Sequence, residues 1–255
     1  DARNAPAIIA AIEAAVLALR AGTVDALATG PIAKSVLAEG GFGFPGHTEF
    51  LAHLAGRLWG LDPAPHPVMM LAGPRLRTVP ITIHVPLHAV PALLDEALVL
   101  RTARIVAAAL ARDFGIARPR LALGGLNPHA GEAGRIGTEE VTVLAPAVAR
   151  LRAEGIAIEG PLAADSLFHE AARARYDAAL LPLHDQALIP VKTLDFDRTV
   201  NLTLGLPFVR TSPDHGTAFD IAGRGLARPE PFEAAIALAR AIVRTRTITA
   251  GHARG

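Results

Sequence analysis

The chain has 255 residues, a formal charge of +1 and 51% apolar residues, enough to bury the core of one large α/β unit or two linked lobes. Acids and bases are interspersed, so nothing marks a nucleic-acid surface. With no cysteine, disulfides and thiolate chemistry are excluded, and a metal would have to be held by His, Asp or Glu. No apolar run reaches the roughly 18 residues of a membrane span, and the start lacks a basic-then-apolar signal region. The expected compartment is the cytoplasm. Of 25 basic residues only Lys34 and Lys192 are lysines. Codon bias explains an arginine surface, but Lys and Arg are not interchangeable where a compact, titratable ammonium is needed, which draws attention to Lys192 and, less strongly, to Lys34.

In chain order, Asn4–Arg20 has helical spacing and stops at Gly22. Ala26–Thr29 reads as a short strand turning through Thr-Gly-Pro-Ile-Ala-Lys34. The glycine-rich loop 40–46 delivers His47, Thr48 and Glu49 to a helix through about Leu58, where either an anion would suit the free N–H groups or Thr48 simply caps the helix. The proline-rich segment 62–67 is a surface loop. Strands are predicted at Val68–Ala72 and Leu76–His84, then a helix over Pro91–Asp113 with a break near Leu94. A strand at Arg120–Gly124 runs into a polar loop. A helix over Thr138–Glu154 starts with two acids and ends at Gly155. A strand near Ile156–Glu159, a helix from Asp165 to about Arg175, a strand at Ala178–Leu183 and a closing helix at Pro231–Thr245 complete the pattern. Strands alternating with helices predict an α/β fold with mainly parallel sheets covered on both faces.

The stretch from Leu180 to Gly225 stands out. Its strand-like apolar runs are each followed by polar groups suited to a metal, anion or nucleotide: His184-Asp185-Gln186, Lys192, Asn201, Arg210-Thr-Ser and Asp214-His215-Gly216-Thr217. Side chains at strand ends project into ligand clefts in open α/β sheets. Ten histidines are present, and an isolated one is more often packed or surface-exposed. His84, His129 and His184 each follow an apolar run, and three imidazoles with an open position would suit a catalytic divalent ion. No local two-His motif decides between these readings. His53, His66, His88, His169 and His252 read as surface or structural.

Thr29-Gly-Pro-x-x-Lys34, Gly46-His-Thr-Glu49, Leu126-Asn-Pro-His-Ala-Gly-Glu132, His184-Asp-Gln186, Asn201-x-Thr-Leu-Gly-Leu-Pro-Phe208 and Arg210-Thr-Ser-x-Asp-His-Gly-Thr217 together resemble the 4-hydroxythreonine-4-phosphate dehydrogenase family of pyridoxal phosphate biosynthesis. The resemblance runs through essentially the whole chain. Separately, His215-Gly-Thr-Ala-x-Asp-Ile-Ala-Gly223 resembles the nucleotide-binding segment of the isocitrate and isopropylmalate dehydrogenases, which lack the Rossmann glycine fingerprint too. The resemblance implies two α/β/α lobes of that superfamily's type, 1–30 with 194–255 and 31–193, with the site in the cleft between them. It also implies a further strand-and-helix segment ahead of Asp1.

By the same resemblance, His84, His129 and His184 would bind one divalent ion (zinc, magnesium or cobalt), with His184 reaching the metal of a second subunit in a homodimer. His47, Thr48, Lys192, Asn201 and Arg210 would contact the substrate. Lys192, Asp165 and Asp185 would support proton transfer, and His215, Gly216, Thr217 and Asp220 would bind NAD or NADP. The implied reaction is oxidation of 4-phosphohydroxy-L-threonine to a β-keto acid that decarboxylates to 3-amino-2-oxopropyl phosphate. A relative acting on another phosphorylated hydroxy acid or a dihydrodiol carboxylate is an alternative. So is a hydrolase or lyase that uses metal without nicotinamide, or a non-catalytic binder of phosphorylated ligands.

Overall fold

The computed structural model describes residues 1–252, with side chains described for residues 1–249; the side chain of His252 lies outside them. In chain order the first elements are α1 (Ala5–Ala21), β1 (Ala26–Ala28), α2 (Lys34–Glu39) and α3 (His47–Trp59). Next come β2 (Val68–Ala72), β3 (Arg77–Pro80), α4 (Val90–Leu93), α5 (Glu96–Phe114), β4 (Arg120–Gly124) and α6 (Ala145–Ala153). The chain continues with β5 (Ala157–Leu162), α7 (Glu170–Arg173), β6 (Ala178–Leu181) and α8 (His184–Asp195), then β7 (Val200–Leu204), β8 (Val209–Pro213) and α9 (Glu230–His252).

Two compact units result. The first combines 1–67 with 200–247, and the second is built on 68–199. Residues 31–67 therefore pack in the first unit, whereas the sequence reading put them in the second lobe. The reason is α3, whose Phe50, Leu51, Leu54 and Ala55 share one core with Ile12, Val16 and Leu19 of α1 and with Leu206 and Phe208. In this unit β1 runs parallel to β8, and β7 pairs antiparallel with β8. By length and composition alone, Ala2–Ala21 is apolar enough to cross a membrane, contrary to the sequence expectation. Its Ile12, Val16 and Leu19 are nonetheless buried in that core.

In the second unit the strand order is β2-β3-β6-β4-β5, antiparallel only between β2 and β3. Near-continuous apolar strands such as Ala178–Leu181, buried throughout, are what a parallel sheet covered on both faces requires. The break near Leu94 is present: Asp95 caps α5 by accepting from the Leu98 N–H at 2.7 Å.

Several elements differ from the sequence reading, the unexpected α2 among them. The strand expected to reach His84 ends at Pro80. The helix expected over Thr138–Glu154 opens with a π turn, Glu140–Leu144. The one expected from Asp165 is split into a short 3-10 turn, Ala164–Ser166, and α7, which the His169 ring caps. Finally, residues 184–195 form α8 despite Pro190 in their midst. Tertiary contact holds α8: Ala187 and Val191 are fully buried, and the Thr78 hydroxyl donates to the Ala187 carbonyl at 2.8 Å, so packing overrides the lost backbone bond.

Candidate functional site

In the first unit a buried cation sits within β8 and has no ion-pair partner among the described residues. Arg210 lies on β8 opposite Leu27 of β1 and is 5% exposed. It donates to the Thr29 hydroxyl at 2.8 Å and to the Thr203 hydroxyl at 3.1 Å, while its Nε has no partner among the described residues. Burial pushes the guanidinium down to about 10, so it stays charged at neutral pH. A buried charge without an opposite partner is costly.

His47, the first residue of α3, is also buried, and its Nε2 is unpartnered among the described residues. Burial first, and the Arg210 charge second, push the imidazole down to about 3. Gly46, not Thr48, is the N-cap, and no side chain caps α3, so the capping role weighed for Thr48 does not apply. The first N–H groups of α3 thus keep their capacity to bind an anion. A side chain at Gly46 would be crowded, since a Cβ there would stand 3.0 Å from the Glu49 carboxylate and 3.6 Å from the Lys34 Nζ. A buried guanidinium, a neutral imidazole, hydroxyls and free N–H groups are the donor set for a phosphate or carboxylate.

The His47 shift makes stability depend on pH. The folded value, about 3, lies below the ordinary 6.5, so stability is fully present above pH 6.5 and falls as pH drops from there toward 3, by at most about 5 kcal/mol. His47→Gln, neutral throughout, should lose less stability than the parent across that window in denaturant titrations at a series of pH values. Parallel losses in both proteins would contradict this.

In the second unit two of the three candidate metal imidazoles meet. The rings of His84 and His184 lie 5.6 Å apart between centroids. His84 follows β3 with a φ of 52°, and His184 opens α8. Asp185 Oδ1 is 2.8 Å from His184 Nδ1, a contact that orients the ring and leaves Nε2 for a ligand. Two adjacent imidazoles, one held by a carboxylate, fit a divalent transition ion.

His129 stands apart on a cavity of about 280 Å³ whose wall includes Asn127, Asp165 and Gln186. Among the described residues of this single chain, no three metal-ligating side chains converge. The turn bearing His129 is left-handed, with positive φ throughout 129–133, at roughly 1–2 kcal/mol for each non-glycine residue.

Gln186 was not among the candidate site residues, although its motif was in view. Its amide donates to the Gly125 carbonyl at 3.0 Å, and its Oε1 accepts the Leu183 N–H at 3.1 Å, tying the start of α8 to the end of β4. Lys192 lies eight residues beyond His184 on α8, with Nζ 5.6 Å from the Phe196 ring. Asn201 is half-buried on β7, in register with Ser212. His215, Gly216, Thr217 and Asp220 follow β8 along a mostly exposed segment, where His215 Nδ1 is 2.9 Å from the Gly216 carbonyl.

A mostly parallel α/β sheet flanked by helices is the architecture of a class of dehydrogenases, among them solved 4-hydroxythreonine-4-phosphate dehydrogenases. The model of the pyridoxal phosphate biosynthetic protein PdxA matches residues 1–239, and the chain belongs to that family. A 4-hydroxythreonine-4-phosphate dehydrogenase of Methylorubrum populi is 64% identical over 240 residues, which cover 94% of this chain and 68% of that protein. The crystal structure of such a dehydrogenase from Klebsiella pneumoniae superposes with a TM-score of 0.85 at 38% identity, covering 95% of this chain and 72% of that one. A terephthalate 1,2-cis-dihydrodiol dehydrogenase structure from Burkholderia xenovorans has a TM-score of 0.69 at 35% identity, covering 94% and 74%.

Proposed function

We propose that the protein is a metal- and nicotinamide-dependent dehydrogenase that oxidises 4-phosphohydroxy-L-threonine and releases carbon dioxide, in pyridoxal phosphate biosynthesis in the cytoplasm. The observation that carries this reading is the buried, uncompensated Arg210 beside the neutral His47, a site that a phosphate completes. Arg210, Thr48 and the α3 N–H groups grip the phosphate, and Asn201 contacts the substrate nearby. That grip fixes the reacting carbon, converting binding energy into orientation. His84, His129 and His184 would hold the metal; His215, Gly216, Thr217 and Asp220 would hold NAD or NADP. When bound, the ion polarises the substrate hydroxyl and the nicotinamide accepts hydride. Asp185 would keep the His184 ring turned, and Lys192 and Asp165 would move protons.

A homodimer is part of the proposal. One chain pairs only two of the imidazoles, and apolar side chains close to them in sequence are exposed: Leu87 at 71% and Ile189 at 63%, as an unformed interface would leave them. Full-length protein given a divalent metal, NAD and 4-phosphohydroxy-L-threonine should form reduced nicotinamide and carbon dioxide together. Absence of both with every metal tried would overturn the assignment. The likeness to the dihydrodiol dehydrogenase favours a second reading, a related enzyme acting on a dihydrodiol carboxylate; turnover of that substrate in preference to the phosphate ester would establish it.

Lys192→Arg keeps the charge but replaces a compact ammonium with a planar fork whose proton is not released near neutral pH. It should lower kcat by about 10²-fold, within the range of general acid–base contributions, with the melting temperature preserved. A near-normal kcat would remove Lys192 from proton transfer.

A further inference from the structure

A carboxylate outside the groups described so far lies against the left-handed turn that carries His129. Residues 129–133 have φ values between 42° and 74°, and only Gly131 among them is glycine. Such backbone persists only where its surroundings over-determine it. Glu140 is 2% exposed and heads the π turn, an irregularity often found at functional sites. Its Oε1 accepts the Asn127 backbone N–H at 2.7 Å and its Oε2 accepts the Asn127 side-chain amide at 2.9 Å. Among the described residues no arginine or lysine is ion-paired with it, so the charge is directed wholly at the loop.

Three glycines make this possible. A Cβ on Gly131 would stand 2.6 Å from Glu140 Oε2, one on Gly125 would stand 3.0 Å from Oε1, and one on Gly137 would collide with the Asn127 side chain. The Ile136 N–H, donating to the Gly131 carbonyl at 3.0 Å, closes the turn.

We propose that Glu140 is a positioning residue for His129: through Asn127 and the close glycines, its buried carboxylate sets the left-handed turn that presents the imidazole beside Asp165 and Gln186. The inference rests on the reading of His129 as a site residue, and the two can fail separately. In the full-length protein, Glu140→Gln keeps the shape but turns an amide donor toward the donors of Asn127. It should weaken Co(II) affinity, followed by the ion's visible absorbance, by about tenfold or more, the range known for groups that orient ligands. It should also shift the ¹⁵N imidazole resonances of His129 while leaving those of His84 and His184 in place.

His129→Ala should weaken Co(II) at least as much, and Glu140→Gln should add nothing in that background. If His129→Ala binds Co(II) and turns over normally, the reading of the site is wrong and the inference falls with it. If His129→Ala is impaired but Glu140→Gln is not, and the His129 resonances stay put, only the role of Glu140 is refuted. Should the glutamine variant not fold, Glu140→Asp retains the charge on a shorter arm. A folded aspartate variant with unchanged Co(II) affinity and resonances would equally overturn the proposal.

Discussion

Arg210→Met should cost the protein its phosphate-ester turnover without costing it stability. The side chain is 5% exposed, charged, and among the described residues bonded to two threonine hydroxyls and no counter-charge. Replacing a buried charge with an apolar chain of similar length is often neutral or stabilising, so the melting temperature should hold or rise. In the parent, inorganic phosphate should raise the melting temperature by ligand linkage, and in the variant that increment should vanish. Two or three charge-assisted hydrogen bonds, each contributing roughly 1.5–3 kcal/mol, amount to about a 10³-fold loss in kcat/KM. A variant that melts well below the parent would show that Arg210 is a structural residue. An undiminished phosphate increment would place the anion elsewhere.

His184→Ala should remove metal-dependent turnover while the fold survives. The imidazole is 34% exposed, and the start of α8 keeps its tie through Gln186, Leu183 and Gly125, so the stability change should fall within about 0.5 kcal/mol. Loss of a ligand forfeits the several kcal/mol of charge stabilisation a Lewis acid supplies, on the order of a 10³-fold drop in kcat. The check pairs turnover with metal content by elemental analysis. A variant that retains its metal and turns over normally would exclude His184 as a ligand.

Much of this was legible in the residues. The bounds of β2 and β4 follow from short apolar runs between turn signals, and the division between α4 and α5 from Asp95 ahead of a periodic run. His84 and His184 come together from positions a hundred residues apart because β3 and β6 are parallel neighbours, which alternating strand and helix patterns predict. The groups proposed to hold an anion lie in Gly46-His-Thr, where the helix start suggested it, and at Arg210, where the family resemblance did.

Other features had no local signal. Pro190 hid α8, which stands on buried Ala187 and Val191. The placement of α3 in the first unit depends on Leu206 and Phe208, some 150 residues away. A run of left-handed residues including Ala130 and Glu132 cannot be read from their types; we assign its cause to contacts with the buried Glu140, distant from any local pattern. Thr29 looked like a turn residue and proves to be a partner of Arg210.

The most direct measurement compares kcat/KM for 4-phosphohydroxy-L-threonine with that for unphosphorylated 4-hydroxy-L-threonine, in the parent and in Arg210→Met. The account predicts a strong preference for the phosphate ester in the parent, reduced about 10²-fold or more in the variant because only the ester loses a contact. Equal losses for both substrates, with the preference intact, would contradict it.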